Sequence, residues 1–488
     1  MLTALSVPPW GFWILGLAGL ALLAWRLQSL PNPASRLAAG LCFGIGQFSL
    51  TLFWMTEFHA IGFVAVVVSE AAFFAVAFLA LPGVQGPHWL RLVAFPAAML
   101  LAEAARGAVP FGGLPMGGVA LGQAVGPLAA VARLGGSLLL VAVAAAIGVA
   151  AVLAGRRQLR PAAVLVVLLV GLLVVAGAAP AGTVRGTIDV AVVQGGGPRG
   201  FRAVDSDADA VYERHLAVSD RLEPPVDLVL WPENAIDVEA IEGSREAADL
   251  GGLARRLDAT VVAGVTQDAG RAGFRNDAVA WAPDGTIVDV YTKAHRVPFG
   301  EYVPARAFFE RLADLSVLPR DAVAGEGPGV LDTPVGRLGV AISFEVFFSE
   351  RALAAVRSGG EVLLVPTNAS SYTTSQVPTQ EMAAAQLQAW STGRWVVASA
   401  PTGYGGIVDH RGRVLQRTTL GRPETLVGGV DLRRGSTPYV SVGDPPFVVV
   451  SLLVLAGAWL MARSGRRTIP PMAPRPTSGA ARPGSEGS

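Results

Sequence analysis

The sequence predicts a multi-pass α-helical membrane domain followed by an extracytoplasmic α/β domain and one closing membrane helix. Of its 488 residues, 52% are hydrophobic and only 15% are charged, whereas about a quarter of an ordinary globular domain is charged. Apolar stretches of bilayer-spanning length fill much of residues 1–182. Over residues 183–445 the charges return, and short apolar runs alternate with polar stretches, which is typical of an α/β domain.

The membrane domain contains apolar stretches of about 20 residues, the length that a helix needs to cross a bilayer. They lie at 10–25, 37–56, 61–82, 88–106, 136–154 and 162–180, and a closing span lies at 446–463. The Gly-rich stretch 114–134 leaves one more helix open. The sequence therefore predicts seven or eight spans.

Arginine in short loops predicts the orientation of these spans, because positively charged loops stay in the cytoplasm. Two clusters are informative: Arg156, Arg157 and Arg160 before span 162–180, and Arg463, Arg466 and Arg467 after the closing span. They predict a cell-membrane protein with both termini in the cytoplasm and residues 183–445 outside it. The tail over 464–488, rich in Pro, Gly, Ser and Ala from Pro470 onward, is predicted to be disordered and cytoplasmic.

Composition also limits the partners and cofactors. A net charge of +1 gives no electrostatic footprint for nucleic acid. Cys42 is the only cysteine, which excludes an intrachain disulfide and a thiolate metal site, and no metal or cofactor is expected. Glu70 and Glu103 lie within predicted spans, where contact with lipid is costly. We expect them to reach water near the span ends, with a lipid or helix-packing site as the alternative.

The α/β domain is predicted to bury its sheets on both faces, because its strands are nearly continuous apolar runs. Predicted strands lie at 188–194, 226–231, 260–266, 277–282, 286–292, 337–343, 361–366 and 395–400, and predicted helices at 205–222, 241–257, 348–358 and 378–391. A layered domain of about 260 residues is a reasonable single unit.

A single lysine stands among the basic residues of the chain. Lysine and arginine total 38, and all of them except Lys293 are arginine. Lysine can lose its proton and acts as a compact point charge, whereas arginine stays charged and demands a planar partner. Position 293 is therefore predicted to need lysine chemistry, with an ordinary surface lysine as the alternative.

Reactive residue types follow three of the predicted strands. VDLVLWPENA delivers Glu233, TIVDVYTKAHRVPFGEYVP delivers Lys293 and Glu301, and RLGVAISFEVFF delivers Ser343 and Glu345. Because ligand sites form at the carboxyl ends of strands in α/β sheets, we expect a base, a cation for an oxyanion and a nucleophile to converge. Taken singly, Glu233 is equally interpreted as an exposed loop acid, and Ser343 as a buried hydroxyl bonded to backbone.

These segments resemble the Glu–Lys–Cys triad segments of the carbon–nitrogen hydrolase (nitrilase) superfamily, and the whole chain resembles its apolipoprotein N-acyltransferases. The similarity rests on WPEN, YTKAHRVPFGEYVP, VPTNASSY and STGRWVVASAPTGYGGIVDHRGRV, and it covers roughly residues 10–463. It implies an αββα nitrilase-like sandwich and a ping-pong reaction. In that reaction an acyl chain passes from a phospholipid to the enzyme nucleophile, and then to the N-terminal amine of a diacylglyceryl-cysteine lipoprotein.

The same resemblance implies roles for individual residues. Glu233 is the base, Lys293 stabilises the oxyanion, and the nucleophile occupies position 343. Glu301 and Glu345 fall on further acidic positions of the family's active-site segments. The implied partners are the bilayer, a phospholipid acyl donor and a lipoprotein acceptor.

The chain departs from the family near the chemistry. Ser343 replaces the family's cysteine, Phe344 replaces a common tyrosine, and Gln388 and Ser391 stand where an arginine and a glutamate are usual. A serine hydroxyl needs a positioned base before it attacks, so alternatives to acyl transfer by serine stay open. In one alternative, the chain is a silent relative that acts as a membrane scaffold, for example for a polyprenol-phosphate mannose synthase, which is a membrane glycosyltransferase. In a second alternative, the serine is an engineered replacement. In a third, the chain is an extracytoplasmic amidase or nitrilase.

Overall fold

The computed structural model of the chain describes residues 1–30, 32–83, 88–197, 207–270, 273–311, 315, 318–368 and 375–464. The predicted tail, apart from Ser464, lies outside these residues. Helices dominate up to residue 178, and two β-sheets with their covering helices follow. A helical part, an α/β part and a closing helix thus follow one another along the chain.

The elements carry the following bounds. The helices are α1 (Trp13–Gln28), α2 (Pro33–Thr51), α3 (Ala60–Leu79), α4 (His88–Arg106), α5 (Ala132–Gly155), α6 (Leu159–Ala178), α7 (Ala208–Ser219), α8 (Arg245–Leu257), α9 (Arg306–Phe309), α10 (Ser349–Arg357), α11 (Gln376–Thr392), α12 (Pro438–Val442) and α13 (Pro445–Ser464). The strands are β1 (Thr183–Gln194), β2 (Leu228–Leu230), β3 (Ile236–Val238), β4 (Thr260–Asp268), β5 (Gly273–Trp281), β6 (Ile287–Thr292), β7 (Asp321–Ala322), β8 (Val330–Thr333), β9 (Gly336–Val340), β10 (Val362–Pro366), β11 (Val396–Ser399), β12 (Gly406–Val408), β13 (Val414–Arg417) and β14 (Glu424–Arg434).

Helices α1–α6 and α13 occupy the positions of the seven predicted spans. Among the described residues, four helical stretches have the length and apolar composition to cross a membrane: α3, α6, α13 and Pro127–Gly155, which contains α5. The Gly-rich stretch 114–134 holds two 3₁₀ helices, Leu121–Gln123 and Pro127–Val131, and then enters α5. It therefore adds no separate span to the predicted seven.

Asn32 caps α2 by accepting a hydrogen bond from the Ser35 backbone N–H at 2.7 Å, which satisfies a donor that the helix itself cannot.

Small residues bring α2 and α3 close together. A Cβ at Gly40 would lie 2.4 Å from the Phe74 carbonyl oxygen, and one at Gly44 would lie 2.3 Å from the Ala71 Cα. Only glycine at these two positions allows this approach, which is the usual way in which membrane helices gain packing contact.

The acidic residues of the predicted spans form a buried helix-packing site. The Arg106 guanidinium bonds to Glu70 at 2.5 Å and to Glu103 at 2.9 Å, and all three side chains are buried. Arg106 also donates to the carbonyl oxygen of Met116. The expectation that Glu70 and Glu103 reach water is therefore wrong, because a buried cation compensates both carboxylates.

Two mixed sheets form the α/β part. The first has the strand order β14-β1-β2-β4-β5-β6, with β3 paired to β4 and β7 paired to β5. The second has the order β13-β12-β11-β10-β9-β8. In each sheet the central neighbours are parallel, namely β1-β2-β4 and β9-β10-β11, and the remaining neighbours on these paths are antiparallel.

The sheets pack face to face and helices cover their outer faces. Branched side chains of both sheets, such as Val190 and Leu364, share the core between them. Helices α7 and α8 cover the first sheet with residues such as Leu250. Helices α10 and α11 cover the second sheet, and α11 also contacts α5. This is the αββα sandwich that the sequence predicts, with one helix layer lying against the helical part of the chain.

Candidate active site

Strand ends from both sheets carry the candidate residues. Glu233 lies three residues beyond β2, Lys293 directly follows β6, and Ser343 lies three residues beyond β9. The apolar strands are buried by the sandwich, so each side chain stands where a buried strand gives way to a loop. The site is thus built at the junction of the two sheets.

Lys293 lies in a buried cluster with two carboxylates. Its Nζ is 2.8 Å from Glu233 Oε1 and 2.9 Å from Glu301 Oε1, and the Lys293 side chain is 2% exposed. Asn276 Nδ2 donates to the same two oxygens at 2.7 and 2.9 Å. Lys293 is therefore not a surface lysine, and Glu233 is not an exposed loop acid.

The cluster keeps Lys293 charged. Burial alone disfavours the ammonium, but the charges and hydrogen bonds of Glu233 and Glu301 outweigh it and raise the pKa of Lys293 above its ordinary value. Glu301 is fixed in turn, because its Oε2 accepts a hydrogen bond from the Val297 backbone N–H at 2.8 Å. The result is a permanently charged point cation with little freedom to move.

Ser343 begins a 3₁₀ helix at the end of the β9 segment and occupies a left-handed backbone conformation, with φ of 49°. Such a conformation is uncommon outside glycine and recurs at functional turns. The Ser343 Oγ lies 3.2 Å from Thr367 Oγ1 and 3.4 Å from Glu381 Oε1. The interpretation of Ser343 as a strand hydroxyl bonded to backbone is wrong, because its partners are side chains.

Glu381 is the functional candidate that sequence reasoning missed. It lies on α11, it is 8% exposed, and its Oε1 accepts a hydrogen bond from Thr367 Oγ1 at 2.8 Å. Burial raises the pKa of Glu381 to about 8, with Glu233 adding to the rise while Thr367, Lys293 and Ser343 oppose it. A signal was available, since Glu381 is the only charged residue in the helix sequence QVPTQEMAAAQLQAWST.

Glu345 joins the Lys293 segment to the Ser343 segment. Its Oε1 accepts from the backbone N–H groups of Ala294 and His295 at 3.0 and 2.9 Å, and its Oε2 accepts from the Ile342 N–H at 2.8 Å. Tyr291 donates its hydroxyl to the same carboxyl group at 2.9 Å. Burial raises the pKa of Glu345, while Arg351 and these backbone donors oppose that rise. Glu345 is thus a brace between two loops.

The predicted residues form two adjoining groups. Glu233 and Glu301 both bond to Lys293, whereas Ser343 contacts Thr367 and Glu381. Within the described part of the chain, no hydrogen bond joins Ser343 to Glu233 or Lys293. The two groups adjoin through Glu345, whose carboxylate accepts from the backbone of Ala294 and His295, next to Lys293, and of Ile342, next to Ser343.

Gln388 and Ser391, two further departures from the family pattern, support the Ser343 turn. Gln388 Nε2 donates to the Val346 carbonyl oxygen at 2.8 Å, and Ser391 Oγ donates to Gln388 Oε1 at 3.1 Å.

The described residues contain no group of three or more His, Cys, Asp or Glu side chains placed to hold a metal ion. The chemistry available at this site is that of a hydroxyl, carboxyl groups and one ammonium.

Helix α11 joins the site to the helical part of the chain. Gln380 Nε2 donates to the Thr51 carbonyl oxygen at 2.8 Å, and Gln380 Oε1 accepts from the Gly117 N–H at 2.9 Å. Gln376 Nε2 donates to the Leu50 carbonyl oxygen at 2.7 Å. Glu381 therefore directly follows a residue that anchors the helix to α2 and the loop after α4.

Comparisons with known proteins cover both parts of the chain. Residues 1–150 match the model of the apolipoprotein N-acyltransferase N-terminal domain, and residues 189–437 match the carbon-nitrogen hydrolase model. The apolipoprotein N-acyltransferase of Mycolicibacterium smegmatis is 30% identical over 93% of this chain and 82% of the relative. That of Azotobacter vinelandii is 30% identical over 95% of this chain and 94% of the relative.

Among solved structures, Saccharomyces cerevisiae Nit3 of the nitrilase superfamily is 20% identical, with a TM-score of 0.39, covering 61% of this chain and 99% of Nit3. The carbon-nitrogen hydrolase model spans more than half of this chain, and the curated relatives span nearly all of it. The chain therefore belongs to the apolipoprotein N-acyltransferase family of the carbon–nitrogen hydrolases.

Proposed function

We propose that this chain is an apolipoprotein N-acyltransferase that uses serine. It transfers an acyl chain from a phospholipid to Ser343, and then from Ser343 to the N-terminal amine of a diacylglyceryl-cysteine lipoprotein. The observation that carries the proposal is the intact Lys293–Glu233–Glu301 cluster, which Glu345 joins to the Ser343 segment. Burying three charged groups is costly unless they are paired with good geometry, and a silent relative has no chemical use for a fixed ammonium at this position.

Each residue has a proposed task. Ser343 Oγ attacks the acyl carbonyl, and the Lys293 ammonium stabilises the oxyanion that develops there. Glu233 and Glu301 hold Lys293 charged and in place, and the family resemblance also gives Glu233 the task of a base. Glu345 keeps the Lys293 and Ser343 segments in register through its backbone hydrogen bonds.

The membrane placement is part of the proposal. The chain has several apolar helices suited to a bilayer, and both substrates of the proposed reaction carry acyl chains. We propose that residues 183–445 lie outside the cytoplasm and both termini inside it, as the arginine clusters predict. In this arrangement Glu381 and its neighbour Ser343 lie close to the membrane helices and to a lipid donor, because Gln380, next to Glu381, bonds to Thr51 and Gly117.

Serine in place of the family's cysteine favours one competing function. A silent relative would act as a membrane scaffold, with a membrane glycosyltransferase as its partner. The two functions differ in one measurable property, because only the acyltransferase forms a covalent acyl–Ser343 intermediate.

Intact-mass analysis of the purified protein with phospholipid vesicles tests the proposal. The native chain should gain the mass of one acyl group, and Ser343→Ala should gain none. Ser343→Cys should form the adduct faster, because a thiol with a pKa near 8.5 is partly ionised near neutral pH. If neither the native chain nor Ser343→Cys forms an adduct, the acyltransferase is excluded, and a co-purifying glycosyltransferase becomes the next thing to seek.

A further inference from the structure

The replacement of a thiol by a hydroxyl creates a need for a stronger base. A cysteine thiol with a pKa near 8.5 is already partly ionised near neutral pH, whereas a serine must have its proton removed during the attack. The question is which carboxylate of the site is placed to remove it.

The two carboxylates around Lys293 are poorly suited to this task. Glu233 Oε1 accepts hydrogen bonds from both Lys293 and Asn276. Glu301 Oε1 does the same, and its Oε2 accepts from the Val297 N–H. Both carboxylates are thus committed to the Lys293 ammonium and the Asn276 amide. Within the described residues, neither acid is hydrogen-bonded to Ser343.

Glu381 has the opposite environment. Its Oε1 lies 3.4 Å from Ser343 Oγ and 2.8 Å from Thr367 Oγ1, and both neighbours are neutral hydroxyls. In the described part of the chain, Glu381 forms no ion pair with any Lys, Arg or His side chain. Thr367 Oγ1 also lies 3.2 Å from Ser343 Oγ, so the three oxygens form one compact group.

We propose that Glu381 is the general base that removes the Ser343 proton, and that Thr367 positions the Glu381 carboxylate for this transfer. This inference rests on the proposed acyltransferase function. Glu233 is thereby left to hold Lys293 rather than to act on the serine. Glu381 acts here on a reacting atom, so it is a catalytic residue and not only a buried support.

The proton balance closes within the site. As Ser343 Oγ bonds to the acyl carbon, its proton moves to the Glu381 carboxylate. The ester bond of the donor then breaks, and the leaving lysophospholipid oxygen takes that proton from Glu381. In the second half-reaction the acceptor amine bonds to the acyl carbon and gives a proton to Glu381, which returns it to the departing Ser343 oxygen.

The acid–base property of Glu381 agrees with its position. Its pKa of about 8 lies near physiological pH, and a general base works best when its pKa lies near the pH at which the enzyme operates. The same burial that makes the carboxylate costly makes it a stronger base than an exposed glutamate.

The test measures the rate of acyl-adduct formation from phospholipid vesicles as a function of pH, by intact mass, in four proteins. These are the native chain, Glu381→Gln, Ser343→Cys and the double variant Ser343→Cys with Glu381→Gln. For the native chain we expect a rate that rises with pH and levels off above about 8. In Glu381→Gln the rate of adduct formation should fall by about 100-fold or more, which is the usual contribution of a general base. The rate should also no longer increase with pH.

The cysteine background separates catalysis from structural support. The double variant should stay within a few-fold of Ser343→Cys, because the thiolate forms without Glu381. An equal loss in both backgrounds, or an unchanged rate in Glu381→Gln, overturns the inference while leaving the acyltransferase intact. No adduct in the native chain or in Ser343→Cys overturns the proposed function itself, and the inference falls with it.

Thr367→Val provides a second variant of nearly the same volume. It removes the hydroxyl whose hydrogen bond opposes the rise in the pKa of Glu381. The pH at which the adduct rate levels off should therefore move upward in this variant. A profile with an unchanged midpoint contradicts the proposed contact between Thr367 and the base.

Discussion

At the scale of single residues, the site separates a fixed cation from a group that exchanges protons. Lys293 is held by Glu233 and Glu301 at 2.8 and 2.9 Å, which keeps its ammonium charged. Glu381 lies near the same charges but forms hydrogen bonds only to hydroxyls within the described residues. One side chain thus supplies electrostatic stabilisation and the other supplies basicity, which is how neighbouring ionisable groups acquire different tasks.

Replacing Lys293 with arginine tests whether the site needs a compact cation. The guanidinium is planar and larger than the ammonium. The Lys293 side chain is only 2% exposed, and two carboxylates and Asn276 already surround its ammonium. Lys293→Arg should lower the adduct rate by about 100-fold or more, the loss typical of a missing oxyanion donor. Thermal unfolding should show a folded protein.

The matched control for this substitution is the reverse exchange at the surface. Arg245 is 64% exposed and pairs with Glu213, so Arg245→Lys should leave the adduct rate unchanged. A normal rate in Lys293→Arg would mean that the site tolerates any cation, and the role of Lys293 as an oxyanion partner would have to be abandoned.

Sequence patterns located the residues that follow strands but not the one on a helix. Lys293 stood out as the only lysine, and Glu233 and Ser343 followed apolar strands. Glu381 lies on a predicted helix, and nothing in its local pattern says that the helix is covered on both sides. The neighbouring Gln380 bonds to Thr51 and Gly117, more than two hundred positions earlier in the chain, and a local pattern does not contain such contacts.

At the scale of elements, α11 connects the chemistry to the membrane helices. It contacts the second sheet on one side and α5 and the loop after α4 on the other. The predicted helix 378–391 agrees with the observed Gln376–Thr392. Nearly all residues of α11 are buried. No single apolar stripe in its sequence therefore marks one buried face. The predicted strands also omit the short strands β12 and β13 and the 11-residue strand β14, whose partner β1 lies far earlier in the chain.

Gln380→Leu should weaken the coupling between the site and the membrane helices. The substitution leaves the Thr51 carbonyl and the Gly117 N–H without their Gln380 partner, and each unpaired group costs about 1–3 kcal/mol. The adduct rate from phospholipid vesicles should fall several-fold more than the rate from a water-soluble short-chain ester. The ratio of these two rates, measured by intact mass, is the quantity that checks this expectation.

Gln386→Leu is the control on the same helix. Gln386 bonds to the Gly412 carbonyl oxygen at 2.7 Å and makes no hydrogen bond to the membrane helices within the described residues. Gln386→Leu should lower the stability of the protein but leave the ratio of the two adduct rates unchanged. If Gln380→Leu also leaves their ratio unchanged, α11 does not couple the site to lipid delivery.

At the scale of the whole molecule, a buried polar chain links the helical part to the site. Glu70 and Glu103 pair with Arg106, which donates to Met116, and the next residue, Gly117, donates to Gln380. The sequence showed the two acids as costly groups within spans but did not identify their partner. Arg106 lies at the end of α4, where proximity to α3 is decided by packing rather than by spacing along the chain.

Reporter fusions test the arrangement of the whole chain across the membrane. The arginine clusters at 156–160 and 463–467 predict that both lie in the cytoplasm, so a reporter at Gly270, between β4 and β5, should be outside. An alkaline phosphatase fused there should be active, and one fused after Ser464 should be inactive. A fluorescent protein should give the reverse pattern, and insertion at Arg157 provides an internal cytoplasmic reference. Equal signals at Gly270 and Ser464 would require an even number of crossings between them, which contradicts α13 as the one returning helix and removes the proposed access of an extracytoplasmic site to lipoproteins.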